Sequence, residues 1–210
     1  SGYSLTGGSL VTSSNNVSFT VQLAHDDVLA IKGFRNIAAS ADTTFVRLSA
    51  GSIQDTAGNP SKAVLAPLSV TTYTADATPI RVLAFDLDLA NETINLTFSE
   101  TLDFNTINVT GFQLVGARGT SDDAVIVAVT QNDQPTQTSL VSISIALSKE
   151  TLNKLKIRTG VATGRENTFL VVSQNAVSDM TGNSIQPIQS SSALQAATFT
   201  GDLVAPEVRS

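Results

Sequence analysis

Two stretches of this chain repeat one another. Residues 44–59, TFVRLSAGSIQDTAGN, and residues 168–183, TFLVVSQNAVSDMTGN, align without a gap. Ser49 meets Ser173, and Asp55-x-x-Gly58-Asn59 meets Asp179-x-x-Gly182-Asn183. The same offset pairs Leu23 with Leu147, Lys32 with Lys156 and Ala38 with Ala162. That offset, 168 minus 44, is 124 residues, the size of a small domain and far longer than a solenoid rung. The sequence therefore predicts tandem like domains: residues 1–75 as a repeat lacking its N-terminal strands, 76–204 as a complete repeat, and 205–210 as the start of a further linker. Gly2-Tyr3-Ser4-Leu5 lines up with Gly111-Phe112-Gln113-Leu114, so the counterpart of residues 81–108 is expected to be missing from the first repeat. A fragment of a longer protein is the favoured explanation, and completion by a neighbouring chain is the other.

Composition fits a β protein. The hydrophobic share of 41% can build a core, charged residues are 14%, and aromatics are 5% with no Trp. Ser and Thr number 50 of the 210 residues, a bias toward strands and turns over helices. The net charge is −6 and the pI near 4.6, with no basic cluster, which argues against nucleic acid and anionic membrane surfaces as partners. The absence of Cys excludes disulfides, thiolate metal sites and cysteine nucleophiles. No apolar run approaches the ~18 residues of a membrane span, so direct membrane insertion is not expected.

Hydrophobic alternation locates the elements. In the first repeat, residues 17–23 alternate, residues 26–32 form a short helical turn with Val28 and Ile31 on one side, 44–48 is a strand, 55–59 a turn, and 64–73 a broken last strand. Residues 75–79, ADATP, make a short, stiff joint because the residue before proline is held extended, and a similar joint recurs at 201–206. In the second repeat, Leu83, Phe85, Leu87 and Leu89 alternate with Ala84, Asp86 and Asp88, and Ile94, Leu96 and Phe98 alternate with polar neighbours. Residues 112–115, 124–129 and 141–147 give further strands. Ser148 caps a helix over 149–156 with Leu152 and Leu155 buried. Residues 168–172, 185–188 and 194–199 complete the set, and 132–138 read as an inserted exposed loop. The expected class is all-β: tandem immunoglobulin-like antiparallel β-sandwiches, each with one short helical turn.

The segments Leu96-Thr-Phe-Ser-Glu-Thr-Leu-Asp103, Val109-Thr-Gly-Phe-Gln-Leu114, Leu147-Ser-x-x-x-Leu152, Asn167-Thr-Phe-Leu-Val-Val172 and Asp179-Met-Thr-Gly-Asn183 together resemble the bacterial-type Ig-like repeats (SbsA-like Ig class) of S-layer, adhesin and other large cell-surface proteins. The resemblance spans residues 79–199 and the later part of the first repeat. It implies spacers or self-assembling walls, and in some cases adhesive heads, in the extracellular space or on the cell surface.

Candidate sites are few. The two Asp-x-x-Gly-Asn motifs read first as tight turns and second as oxygen ligands for calcium. Asp76, Asp86, Asp88, Glu100 and Asp202 are the best candidates for an interdomain calcium site, set against solvated acids on exposed strand faces. N-linked glycans are the other expected modification, at the sequons of Asn16, Asn91, Asn95 and Asn108: Asn95 and Asn108 on outward strand positions, Asn16 and Asn91 at turns. His25, the single histidine, is replaced by Lys149 in the second repeat, and no catalytic constellation forms around it. Asp26-Asp27 and Asp122-Asp123 read as capping or solvated pairs. No catalytic residue or enzymatic activity is expected. The expected function is a structural or assembly segment of a filament, surface layer or adhesin stalk, with like domains of the same or neighbouring chains as partners. The alternatives are a module binding carbohydrate or a surface protein, and an accessory domain of a larger secreted enzyme.

Overall fold

The structure, a computed structural model, describes residues 2–11, 18–119 and 126–203. The chain divides into two compact units, Ser1–Ala77 and Thr78–Ser210, two residues beyond the boundary expected from the sequence. Residues 205–210 lie outside the described residues. The described residues are mostly β in antiparallel sheets, with one parallel pairing and two short α-helices among them.

Unit 2 contains β5 (Val82–Asp88), β6 (Thr93–Phe98), β7 (Phe112–Val115), β8 (Ile126–Ala128), β9 (Gln134–Ser139), β10 (Ser142–Ala146), α2 (Lys149–Lys156), β11 (Phe169–Val172), β12 (Leu194–Gln195) and β13 (Thr198–Thr200). They form a five-stranded sheet, β13-β5-β6-β10-β9, and a four-stranded sheet, β12-β11-β7-β8. β13 runs parallel to β5. Alternation drives the burial: Ile94, Leu96 and Phe98 of β6 point inward while Asn95 and Thr97 are exposed. One apolar cluster draws Phe85, Leu96 and Ile145 from the first sheet and Phe112, Leu114 and Leu170 from the second. α2 adds Leu152 and Leu155, and its N-terminus is capped by the Ser148 hydroxyl, which accepts from the Thr151 N–H at 3.3 Å.

Two expectations change here. Leu83 is 58% exposed, because a register shift between Val82 and Ala84 turns Val82 toward the core in its place. Residues 134–139, read from sequence as part of a loop, form β9. β9 is the edge strand of its sheet, where Pro135 is tolerated because an edge N–H needs no ladder partner.

Unit 1 contains β1 (Gly8–Leu10), β2 (Val21–Leu23), α1 (His25–Lys32), β3 (Phe45–Leu48) and β4 (Val64–Ser69). Among the described residues, β1 pairs only with β2, and β3 only with β4. Residues 2–5 are not a strand, so the expected match to residues 111–114 fails; no counterpart of β7 or β8 is found among the described residues. Some elements nevertheless recur at a spacing of 124 residues. α1 and α2 are eight residues each and begin at 25 and 149; β3 and β11 are four each and begin at 45 and 169. Both differences are 124. Ala38 and Ala162, also 124 apart, share a left-handed backbone with φ of 52° and 55°.

Candidate functional site

Asp55 and Asp179 open two copies of one turn. Asp55 accepts from the N–H groups of Ala57 (2.9 Å) and Asn59 (2.8 Å) and from the Asn59 side-chain amide (2.9 Å). Asp179 accepts from the N–H groups of Thr181 (2.9 Å) and Asn183 (2.8 Å), the Thr181 hydroxyl (2.9 Å) and the Asn183 amide (2.9 Å). The turn reading holds in both copies. The Asn59 side chain, then the backbone N–H groups, hold the Asp55 carboxyl below its usual range.

Two further carboxylates anchor the helices. Asp27 is fully buried and accepts from the Thr6 N–H (3.0 Å), the Thr6 hydroxyl (2.8 Å), the Tyr3 hydroxyl (2.8 Å) and the Gly7 N–H (3.1 Å). Burial pushes its carboxyl up, but the donors from Thr6, Tyr3 and Gly7 prevail and bring it to about 2. This corrects the expectation that Asp26-Asp27 is simply a capping or solvated pair. In unit 2, Asp133 is 1% exposed and accepts from the Thr151 hydroxyl (2.7 Å), the Thr130 N–H (2.6 Å) and the Ser148 N–H. Burial raises it and these bonds outweigh the burial, leaving it below the usual range. Thr151 stands 124 residues after Asp27. The same helix position thus carries the acid in unit 1 and the hydroxyl in unit 2, and the acid has moved to the segment facing the helix.

Among the acids expected to hold calcium, Glu100 lies apart from Asp86 and Asp88 within unit 2. Asp86 accepts from the Thr198 hydroxyl at 2.6 Å. Asp88 caps its own turn, accepting from the N–H groups of Ala90 (3.0 Å) and Asn91 (2.9 Å) and the Asn91 amide (2.7 Å). Asp202 pairs with Lys156 at 2.8 Å and, in unit 1, Asp76 pairs with Lys32 at 2.7 Å. Glu100 follows Phe98, which pairs with Val82, whereas Asp88 pairs with Thr93; Glu100 therefore lies at the opposite end of the β5–β6 ladder. Its carboxylate instead lies within 4.8 Å of that of Asp179, both residues being buried.

Among the sequons, Asn95 is exposed on β6. Asn91 is exposed in the β5–β6 turn, but its amide nitrogen, the atom a glycan would occupy, donates to Asp88. Asn108 is not on a strand: it caps a single 3₁₀ turn, accepting from the Thr110 N–H (3.2 Å) and hydroxyl (2.7 Å). Its short polar side chain competes for local backbone donors, which favours caps over strands. Asn16 and the Asp122-Asp123 pair lie outside the described residues. His25 is exposed at the start of α1. A depression of about 310 Å³ beside β7 and β11, lined by Thr110, Gln113, Ser173, Gln174 and Gln189 among others, has no titratable side chain in its lining.

Sequence reasoning missed the widest contrast between the units, which is apolar. Ile143 and Ile145 are 1% and 0% exposed, while Phe19 and Val21, each 124 residues earlier, are 47% and 44% exposed. Leu170 is 0% exposed and its counterpart Val46 48%; Val177 is 1% and Ile53 38%. The alignment at 124 residues pairs these positions but says nothing of the strands that cover them. Compared with known proteins, the chain matches no family model, no curated protein and no solved structure.

Proposed function

We propose that this chain is a structural, non-catalytic segment of an extracellular or cell-surface protein, built from tandem Ig-like β-sandwich units of the bacterial type. The observation that carries the reading is the recurrence, 124 residues apart, of one helix, one left-handed alanine, one strand and one Asp turn in units 1 and 2. Recurrence at domain spacing is how arrays of modules are made. The work of such a segment is mechanical: each complete unit buries its own core, the proline-containing joint at residues 75–79 limits bending, and like units of the same or neighbouring chains are its partners.

Unit 2 fits a spacer better than an adhesive head. Its exposed large apolar residues are Leu83, Leu140, Ile157 and Leu203, with no aromatic among them in the described residues. Heads that grip a ligand depend on aromatic or Arg anchors. The polar depression beside β7 lacks the acid–base groups that hydrolysis needs. Among the described residues, Asn95 is the position best placed to carry a glycan. Immunogold labelling of intact, unpermeabilised producing cells with antibody to unit 2 tests the reading. Decoration of the surface or of shed filaments is expected, and label found only after permeabilisation would overturn it.

A further inference from the structure

We infer that the last-turn lysine of each helix latches the aspartate at which the chain leaves its unit, and that this ion pair gives the joint at residues 75–79 its stiffness. The inference rests on the reading that residues 75–79 join two like units, and it names the residues that hold the joint. The chain carries a second recurrence. Thr72-Tyr73-Thr74-Ala75-Asp76 and Thr198-Phe199-Thr200-Gly201-Asp202 match as Thr, aromatic, Thr, small residue and Asp, 126 residues apart (198 minus 72). Lys32 and Lys156, 124 apart, stand in the last turns of α1 and α2. Lysine and aspartate meet in both units: Lys32 Nζ lies 2.7 Å from Asp76 Oδ2, and Lys156 Nζ lies 2.8 Å from Asp202 Oδ2. The partners are 44 residues apart in unit 1 (76 minus 32) and 46 in unit 2 (202 minus 156). A pair kept across that difference belongs to the fold and not to one fixed loop.

The helix end favours this lysine, because the partial negative charge of the last carbonyls attracts a cation. These pairs differ from the surface pair Lys154–Glu150, one helical turn apart, whose side chains are 43% and 49% exposed. At the joint of unit 1 the two side chains are 27% and 18% exposed, and a partly buried pair is screened less by salt. In unit 2 the Asp202 carboxylate, hydrogen-bonded to Lys156, holds its ammonium above the usual range, with burial opposing the rise. A second fastening precedes each ion pair. The Tyr73 hydroxyl donates to the Ala38 carbonyl at 3.1 Å, three residues before Asp76. The Leu89 N–H donates to the Thr200 carbonyl at 2.8 Å, two residues before Asp202. Past Asp76, Pro79 restricts Thr78 to extended backbone. Only Ala77 then lies between the ion pair and the reach of the proline. Opening the pair extends that loose stretch back to Thr74, next to the Tyr73 anchor.

The test uses the whole 210-residue chain and reads backbone N–H order parameters, from NMR relaxation, at Asp76, Ala77 and Thr78. Values of about 0.8 are expected in the native chain, and Lys32→Met should lower the value at Ala77 to below about 0.6. Asp76→Asn, which leaves the helix untouched, should do the same. Lys156→Met, which opens only the pair in unit 2, should leave residues 76–78 as they are. Order at Ala77 that survives both Lys32→Met and Asp76→Asn would overturn the inference. So would an equal fall in Lys156→Met, which would mean a general loosening. A fall on adding EDTA to the unsubstituted chain would overturn it too, since that assigns the joint to a bound cation. Surface labelling by antibody to unit 2 does not depend on this ion pair, so either idea can fail while the other stands.

Discussion

From the helix to the Asp turn, units 1 and 2 share elements at constant spacing, yet unit 2 buries Leu170 and Val177 while unit 1 exposes the matching Val46 and Ile53. What they share is local: α1 and α2, the alanines at φ of 52° and 55°, and the turns at Asp55 and Asp179. Each is fixed by hydrogen bonds between residues a few positions apart, so each forms in either setting. What differs is non-local. Burial of Leu170 needs β7, more than fifty residues earlier, and burial of Ile145 needs β6. Each Val, Leu or Ile left exposed forgoes about 1.5–3 kcal/mol of transfer free energy. Secondary structure in this chain is thus no guide to where its stability resides.

The largest expected effect tests that contrast directly. Leu170→Ala should destabilise unit 2 by about 2–5 kcal/mol, since the cavity left at a fully buried site cannot collapse. The matched Val46→Ala should change unit 1 by less than about 0.5 kcal/mol, as for most exposed positions. Urea-dependent hydrogen exchange, read separately at the amides of β11 and β3, measures both. Equal losses at the two sites would break the contrast.

The intermediate effect concerns the exchanged carboxylates. Asp133→Ala leaves the Thr151 hydroxyl and two backbone N–H groups without their charged acceptor, a loss of about 2–4 kcal/mol to be read in the same exchange experiment. Asp27 gives the matching pH dependence. Its folded value of about 2 lies below the unfolded value of ~3.9, so its contribution is present above the unfolded value and lost as pH falls through about 4 toward 2. Residues 3–7 should then detach from α1, because Asp27 holds Tyr3, Thr6 and Gly7. In a Tyr73→Phe chain the fluorescence of Tyr3 reports that release between pH 4.5 and 2, in steps of about half a unit. Asp27→Asn should abolish the transition, and a pH profile unchanged by that substitution would remove Asp27 from the account.

How much of this was legible beforehand follows the same division. The period of 124, the helix over 149–156 with Leu152 and Leu155 inward, and the inward face of β6 all follow from patterns within a few residues. Leu83 misled because alternation assumes an unbroken ladder, and the register shift at Val82 lies in the pairing with β6. β9 misled because Pro135 and its polar neighbours look like a loop until the strand is known to be an edge. The surroundings of the calcium candidates were hidden for a related reason. Asp86 and Asp88 do share a strand face, but nothing local says that Glu100 leaves by the other end of the sheet and meets Asp179. Phe19 and Val21 alternate with polar neighbours and read as the inward set of a half-buried strand; their exposure, like that of Val46, shows only once the neighbouring strands are known.

The smallest effect is also the cleanest check on local identity. Gly58 and Gly182, 124 residues apart, close the two Asp turns with φ of +82° and +91°, and a Cβ added at either would meet nothing within 4 Å. Packing therefore contributes nothing, and only the backbone penalty for an L-residue at positive φ remains, about 1 kcal/mol. Gly58→Ala and Gly182→Ala should each cost that amount, and the two values should agree within about 0.5 kcal/mol, although Ile53 before one turn is exposed and Val177 before the other is buried. Denaturation followed by exchange at Asn59 and Asn183, whose N–H groups bond Asp55 and Asp179 at 2.8 Å, gives the comparison. A markedly larger cost at Gly182 would mean that the turn in unit 2 is held by the fold around it, and that the likeness of the two turns is imposed by tertiary structure instead of arising from their own sequence.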